Sequence, residues 1–262
     1  MSTEARWIMR LARTGFVLVL AIVAASAYIR LSAGAPDAAQ TAIDVARIAH
    51  RISASVAGLL VLIIAGLVFT RERSRGLDIA LAAATLAVML VLAWIGRYSG
   101  PDAPAAVLMS NLAGGLALST LLWAVAARHS SAGNHLPPGD SATLALVTFL
   151  VVALQCITGA MTVTEFAKFG LTHHASGIVA LGLCAWLGAR LGRSRATKRS
   201  GRAIIALAVF QAALGIAALA FSLPLWLVLA HNVGAALLLA ALVQACMTQS
   251  GEASPSLLPL SS

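Results

Sequence analysis

Four side chains with a ring or amide nitrogen each stand near the start of an apolar stretch: His50, Asn111, His174 and His231. Each is followed three residues later by a small residue: Ser53, Gly114, Gly177 and Gly234. Because positions i and i+3 share a helix face, a small residue there would leave a flat slot beside the nitrogen-bearing side chain. Neutral imidazole is a common axial ligand of haem iron. The pattern predicts that the chain holds haem inside a membrane, with His50, His174 and His231 as iron ligands.

The apolar stretches around these side chains predict membrane spans. Sixty per cent of the residues are apolar and only 10% are charged, whereas a soluble domain carries about 25% charged residues. A bilayer core needs about 20 helical residues, and the first six uncharged stretches approach or reach that length: 14–29, 52–70, 79–96, 103–127, 141–164 and 169–189. Pro224 and Ser222 divide a seventh, longer stretch into two. We therefore predict an all-α integral membrane fold with eight transmembrane helices.

The basic residues predict how these spans are oriented. Thirteen of the 18 lysines and arginines fall on one side of an eight-helix arrangement, and six of the thirteen lie between the sixth and seventh helices. The other side has five: Arg30, Arg47, Arg51, Arg97 and Lys168. By the positive-inside rule, both termini face the cytoplasm and the protein lies in the inner (cytoplasmic) membrane. The net charge of +9 is thus a topology signal, and no nucleic-acid partner is expected.

The spacing of the four side chains predicts two related halves. His50 and His174 are 124 residues apart, and Asn111 and His231 are 120 apart. Two pseudo-symmetric four-helix bundles, residues 1–128 and 129–262, would place each pair on the second and fourth helix of its half. All four side chains would enter from the outer side, so we expect the site in the outer half of the bilayer.

The remaining histidines and the cysteines have simpler interpretations. His129 and His135 stand among Ser, Gly and Pro and are expected to be solvated loop residues. His173 adjoins His174 but points about 100° around the helix; it is an alternative ligand, although the spacing to Gly177 favours His174. The cysteines lie within predicted helices, where buried, unpaired thiols are expected: Cys156, Cys184 and Cys246.

Four motifs in order resemble one known family over nearly the whole chain. They are YIRLSAG at 28–34, HRISASVAGLL at 50–60, LQCITGA at 154–160, and the long block at 210–240 that includes Gln-x-x-Leu-Gly-Ile and a proline turn. The chain resembles the haem A synthase family of cytochrome oxidase assembly proteins. The resemblance implies eight helices in two four-helix bundles.

The resemblance also implies a role for each half. A C-terminal histidine pair would hold haem b, and His174 and His231 match it, with Gly177 and Gly234 beside them. An N-terminal pair would form the catalytic site, where the C8 methyl group of haem O is oxidised to the formyl group of haem A. His50 and Asn111 match that pair. The implied partners are haem O or another haem, a membrane electron donor, and haem O synthase or cytochrome oxidase subunits.

The N-terminal half departs from the family pattern at two positions. Asn111 stands where the family has histidine, and an amide is a poor iron ligand compared with imidazole. Arg47 stands where the family's second helix usually has Glu, which removes a proton acceptor and reverses the local charge. Arg51, beside His50, could pair with a haem propionate bidentately. Two hypotheses follow: an oxidoreductase of haem A biosynthesis, or a non-catalytic haem-b-binding membrane protein serving electron transfer or oxidase assembly.

Overall fold

Eight long helices make up the fold in a computed structural model that describes residues 2–32, 40–71, 75–100, 103–130, 140–162, 169–222 and 224–249. Their bounds are α1 Thr3–Ser32, α2 Gln40–Phe69, α3 Gly76–Ile95, α4 Ala105–Arg128, α5 Asp140–Thr162, α6 Phe169–Gly192, α7 Lys198–Ala220 and α8 Leu225–Gln249. A 3-10 turn, Gly96–Tyr98, follows α3, and no strand occurs within the described ranges. All eight helices are long and apolar enough to cross a membrane. The predicted all-α, eight-span membrane fold is confirmed, and the protein is a multi-pass membrane protein.

The helices differ in length. α1 and α2 have 30 residues each, about 45 Å at 1.5 Å per residue, which exceeds a hydrocarbon core of about 30 Å. α2 begins ten residues before His50, whereas α4, α6 and α8 begin five or six residues before Asn111, His174 and His231. The extra length of α2 therefore adds polar turns on the His50 side of the membrane.

The break between α7 and α8 lies where the sequence predicted it. α7 ends at Ala220 and α8 begins at Leu225, directly after Pro224. Ser222 adopts a left-handed conformation with φ of 58°, which is uncommon for a residue with a β-carbon. Proline cannot donate the backbone hydrogen bond that a continuing helix needs, so the chain reverses here and α8 packs back against α7.

Helix contacts group the elements by halves. α1, α2, α3 and α4 contact one another in a closed ring, and α5, α6, α7 and α8 do the same. In each ring the second and fourth helices are diagonal: α2 faces α4, and α6 faces α8. The halves meet where α8 packs against α1 and α4. The exact division at residue 128 and the pseudo-symmetry of two bundles stay predictions.

The interface between the halves is closed on one side and open on the other. α1 packs along α8, but α4 and α5, the corresponding pair, make few contacts. Between them lies a cavity of about 540 Å³ with mainly apolar walls, including Leu112, Ala117, Phe149 and Ala153. The two halves are therefore not related by a strict twofold arrangement along this seam.

One end of the N-terminal ring contains a partly buried ion pair. Arg128 Nε, at the end of α4, lies 3.0 Å from Asp78 Oδ1, in the first turn of α3. The other oxygen of Asp78 accepts a hydrogen bond from the backbone nitrogen of Arg75 at 3.2 Å. This carboxylate therefore joins the start of α3 to the end of α4.

The expectation of a solvated His129 is wrong. Its side chain is only 8% exposed, and Nδ1 lies 2.9 Å from the carbonyl oxygen of Val125. His129 directly follows the last residue of α4, where the final carbonyl groups lack helical partners. It therefore caps the helix instead of projecting into solvent. His135 lies outside the described residues.

Candidate functional site

His173 on α6 is held by a glutamine and a glycine on α5. Gln155 Nε2 donates to the backbone carbonyl of His173 at 2.6 Å and lies 2.9 Å from its ring Nδ1. One turn later, Gly159 lies against the ring: a β-carbon there would come within 2.7 Å of His173 Cε1. The Ser176 hydroxyl donates to Gln155 Oε1, which fixes the orientation of the amide. The position of this imidazole is therefore determined by α5 as well as by its own helix.

His231 on α8 is held in the same way by α7. Gln211 Nε2 donates to the His231 carbonyl at 2.9 Å, and a β-carbon on Gly215 would lie 3.2 Å from His231 Cε1. Both histidines are thus positioned by a Gln-x-x-x-Gly sequence on the preceding helix. The glutamine binds the histidine backbone, and the glycine makes room for the ring. The ring nitrogen Nδ1 of His231 and Gln211 Oε1 are buried without a hydrogen-bond partner among the described residues.

The small residues that follow the histidines have a different role from the one expected. A β-carbon on Gly177 would meet Gln155 Nε2 at 3.0 Å, and one on Gly234 would clash with Gln211 Oε1. The predicted slots at these two positions therefore accommodate glutamine side chains from the neighbouring helix. Gly159 and Gly215, which lie on those neighbouring helices, are the glycines that contact the rings.

The two adjacent histidines of α6 point in different directions. His173 is half-buried and His174 is exposed, with ring centroids 5.9 Å apart. The sequence favoured His174 as the ligand, but the structure places the alternative, His173, on the face of α6 towards α5. Ser176 follows His173 at the same three-residue spacing, so the spacing rule fitted both histidines.

The predicted N-terminal residues are not joined to one another. His50 is half-buried on α2 and has no hydrogen-bond partner among the described residues, and its neighbour Arg51 is exposed. The side-chain amide of Asn111 donates to Ser99 Oγ at 2.5 Å, in the segment that follows α3. A β-carbon on Gly114 would clash with the side chain of Leu92 on α3. The Asn111 amide is thus already engaged, and the space beside Gly114 is filled by leucine.

Arg47 has a carboxylate partner that the sequence reasoning missed. Its Nη1 donates to Asp44 Oδ1 at 2.9 Å, one turn earlier on α2. Asp44 also accepts a hydrogen bond from Gln40 Nε2 at 3.1 Å. Both side chains of the ion pair are partly exposed. The i, i+3 spacing of Asp44 and Arg47 was the available signal, because such residues meet on one helix face.

A second cation, Arg30, is available near the end of α1. Its Nε is buried and has no hydrogen-bond partner among the described residues. Leaving a charged donor unpaired in a buried position is costly, which makes Arg30 a candidate partner for an anionic group of a ligand. Lys168, which the sequence placed on the same side of the membrane, lies outside the described residues.

The donor set suits a porphyrin better than a metal ion bound by side chains alone. No group of three or more His, Cys, Asp or Glu that could hold a metal occurs in the described part of the chain. Iron in haem already has four porphyrin nitrogens and takes one or two axial ligands. His173 and His231, on diagonal helices of one ring, provide two imidazoles, and one of them has a ring nitrogen without a partner. In the described part of the chain no disulfide bond joins Cys156, Cys184 and Cys246.

Comparison with known proteins finds a similarity in the C-terminal helices. Residues 164–243 match the family model described as cytochrome oxidase assembly protein, which covers α6, α7 and most of α8. The resemblance to the haem A synthase family of cytochrome oxidase assembly proteins is therefore confirmed over this segment. The matched segment contains His173, His174, Gln211 and His231. A comparison with curated proteins found no match.

Proposed function

We propose that this protein is a membrane haem protein of the haem A synthase type, which binds haem b between α6 and α8 and acts in cytochrome oxidase assembly. One observation carries the proposal: two imidazoles on diagonal helices are positioned by the same Gln-x-x-x-Gly arrangement. The hydrogen bond to the backbone carbonyl positions both histidines; Gln211 makes no bond to the ring of His231, whereas Gln155 also lies 2.9 Å from Nδ1 of His173. The family match over the same helices supports the assignment.

The axial ligands in this proposal are His173 and His231. His173 replaces His174 as the first choice because its ring lies against Gln155 and Gly159 of α5, whereas His174 is exposed. Gln155 and Gln211 orient the two histidines, and Gly159 and Gly215 admit their rings. Haem b, when bound, would supply reversible one-electron transfer. Inner-membrane placement with cytoplasmic termini belongs to the same proposal.

The finer proposal is that the N-terminal half accepts haem O for oxidation of its C8 methyl group. His50 would contact the substrate haem, and Arg51 and Arg30 would pair with its carboxylates. The Asp44 carboxylate, three residues before Arg47, is the nearest substitute on α2 for the glutamate that the family pattern has at position 47. It would hold the proton-accepting role that Arg47 cannot take.

A second candidate function is non-catalytic haem binding for electron transfer or oxidase assembly. The Asn111–Ser99 hydrogen bond favours it, because the amide is tied to α3's end and offers no imidazole for iron. In this case the C-terminal site would bind haem b, and the N-terminal half would make no haem A.

Purification followed by haem extraction tests the C-terminal site. The wild-type protein should carry b-type haem, and His173→Ala and His231→Ala should each lose most of it, while His174→Ala should retain it. Retention by both His173→Ala and His231→Ala would overturn the proposed site. If haem is lost only in His174→Ala and His231→Ala, the axial ligand on α6 is His174, as the sequence favoured.

Complementation of a strain without haem A synthase separates the two functions. Haem A produced by the wild-type chain would establish the enzyme and remove the non-catalytic alternative. Haem A produced only by a variant with Arg47→Glu and Asn111→His would support the alternative. The single variant Asp44→Asn, which keeps Arg47 and Asn111, is the matched control: loss of haem A production there would assign the carboxylate role to Asp44.

A further inference from the structure

The connection between α6 and α7 has an unusual concentration of positive charge. Residues 190–202 contain six cations and no acidic residue: Arg190, Arg193, Arg195, Lys198, Arg199 and Arg202. Five of them are exposed, and Arg190 is half-buried. Such a cluster at the end of two membrane-spanning helices lies at the level of the lipid headgroups, where a long basic side chain can keep its charge in water.

This basic connection has a defined backbone. Gly188 and Gly201 bring α6 and α7 so close that a β-carbon at either position would clash with the backbone of the other helix. Thr197 Oγ1 donates to the carbonyl of Leu191 at 2.7 Å, and the Lys198 nitrogen donates to the Ser194 carbonyl at 2.9 Å. The cations therefore project from an ordered turn, and little backbone entropy would be lost when they bind a partner.

The corresponding connection in the N-terminal half has carboxylates close to it. Near α2 and α3, Arg71 lies 3.6 Å from Glu4, and Asp78 pairs with Arg128 at 3.0 Å. By contrast, none of the six cations at 190–202 forms an ion pair within the described ranges of the chain. The two connections on the same side of the protein thus differ: carboxylates of α1 and α3 form ion pairs next to the first, and the second has no acidic residue.

We propose that the α6–α7 connection is a binding surface for the headgroups of anionic phospholipids. Its charge is complementary to phosphate groups, and its position beside two membrane spans places it at that surface. Basic segments next to transmembrane helices are attracted to anionic lipids by a factor of about five per cation. This surface is independent of the haem site, so it is tested by lipid binding alone.

The test uses the full-length protein in nanodiscs or micelles with defined lipids. Native mass spectrometry counts phosphatidylglycerol and phosphatidylcholine molecules that stay bound to the wild-type protein. We expect retention of phosphatidylglycerol in preference to phosphatidylcholine, decreasing as salt is raised. Replacing Arg193, Arg195 and Arg199 together by Gln should weaken phosphatidylglycerol binding by about a hundredfold. No preference between the two lipids in the wild-type protein would overturn the proposal.

Two matched variants separate a specific surface from a general effect of charge. Arg6→Gln, Arg10→Gln and Arg13→Gln together remove the same charge from α1 and should leave most of the binding intact. Arg193→Lys, Arg195→Lys and Arg199→Lys together keep the charge, and this variant should also bind. An equal loss in the α1 variant would show that net charge alone attracts the lipid, and the proposal would fall. The same is true if an acidic protein segment binds the connection while phosphatidylglycerol does not. A topology reporter on each variant confirms that insertion is unchanged.

Discussion

Asn111 on α4 and His231 on α8 stand at corresponding positions in the two halves, but their surroundings leave different atoms available. In the C-terminal half, Gln211 of α7 fills the space beside Gly234 and holds the backbone of His231. In the N-terminal half, Leu92 of α3 fills the space beside Gly114 and offers no hydrogen bond. The amide of Asn111 bonds to Ser99 instead. One half positions a histidine through its backbone, whereas the other engages one N–H of the Asn111 side chain itself.

This difference separates packing from chemistry. In both halves a side chain from the preceding helix fills the space beside a glycine, so both halves are packed at this position. Only in the C-terminal half does the side chain that fills this space, Gln211, also position an imidazole. We therefore expect the N-terminal half to tolerate substitutions at its marked positions better than the C-terminal half does.

The largest expected effect is on haem content. His231→Ala removes a proposed axial ligand and should abolish most of the b-type absorbance, because the pair of imidazoles holds the iron. His50→Ala should leave that absorbance unchanged, since His50 lies in the other ring. The pyridine haemochrome spectrum of each purified variant provides the measurement. A similar loss in both would mean that the halves do not bind haem separately.

A substantial loss of stability is expected when the ion pair of the N-terminal half is broken. In Asp78→Asn, Arg128 loses its carboxylate, and the two side chains are only 19% and 11% exposed. The expected cost is about 2 kcal/mol, below the roughly 3–5 kcal/mol of a fully buried pair. Glu4→Gln is the matched control, since the exposed Glu4–Arg71 pair should contribute less than about 1 kcal/mol.

The stability of both variants is measured as the unfolding midpoint of each purified protein in detergent. The haem spectrum of Asp78→Asn should match that of the wild-type protein below its midpoint, because the pair lies in the other half. Equal midpoints for Asp78→Asn and the wild-type protein would show that Asp78 does not hold α3 to α4.

A smaller effect is expected from a single methyl group at Gly159. The β-carbon of alanine would come within 2.7 Å of a His173 ring that Gln155 already holds, so overpacking should cost about 1–2 kcal/mol and shift the haem spectrum. Gly182→Ala, on α6, where the new β-carbon would meet no atom of another helix within 4 Å, should instead stabilise the helix by up to about 1 kcal/mol. Two variants of equal stability and unchanged spectrum would contradict the tight contact.

The smallest effect is expected at Ser99. Ser99→Ala releases the Asn111 amide from an exposed hydrogen bond, and the cost should be about 0.5 kcal/mol, at the low end for a single bond. The variant matters for the comparison because it frees the side chain that the N-terminal half otherwise occupies. A gain of haem binding at the N-terminal half, measured as the haem-to-protein ratio, would show that this bond blocks the site. An unchanged ratio would show that the Asn111 amide does not support haem binding even without the bond to Ser99.

The sequence was sufficient to predict the spans, because hydropathy and charge are properties of each segment alone. The division of the last apolar stretch at Pro224 is an example: proline prevents a continuous helix whatever surrounds it. The burial of His129 was not predictable in this way. It depends on how the end of α4 packs, and a polar neighbourhood in sequence resembled an exposed loop.

The residues around the proposed site were only partly predictable. The histidines stood out because ionisable groups inside a membrane are costly, and the Gln-x-x-x-Gly runs stood out through the family resemblance. Their contacts could not be read from a single helix. The slot beside each histidine was assigned from i+3 spacing within one helix, but the structure shows that the neighbouring helix decides what occupies it. In the same way, the packing of α5 against α6 determines that His173, and not His174, faces the neighbouring helix.

The glutamine contacts also bear on the order in which the C-terminal half can assemble. Gln155 and His173 are 18 residues apart, and Gln211 and His231 are 20 apart, so each contact closes within one helical hairpin. Contacts between near neighbours in sequence form quickly because their loop-closure entropy is small. Each hairpin can therefore orient its own histidine as soon as both of its helices are inserted. The docking of α5 and α6 onto α7 and α8 then brings together two histidines whose orientation is already determined.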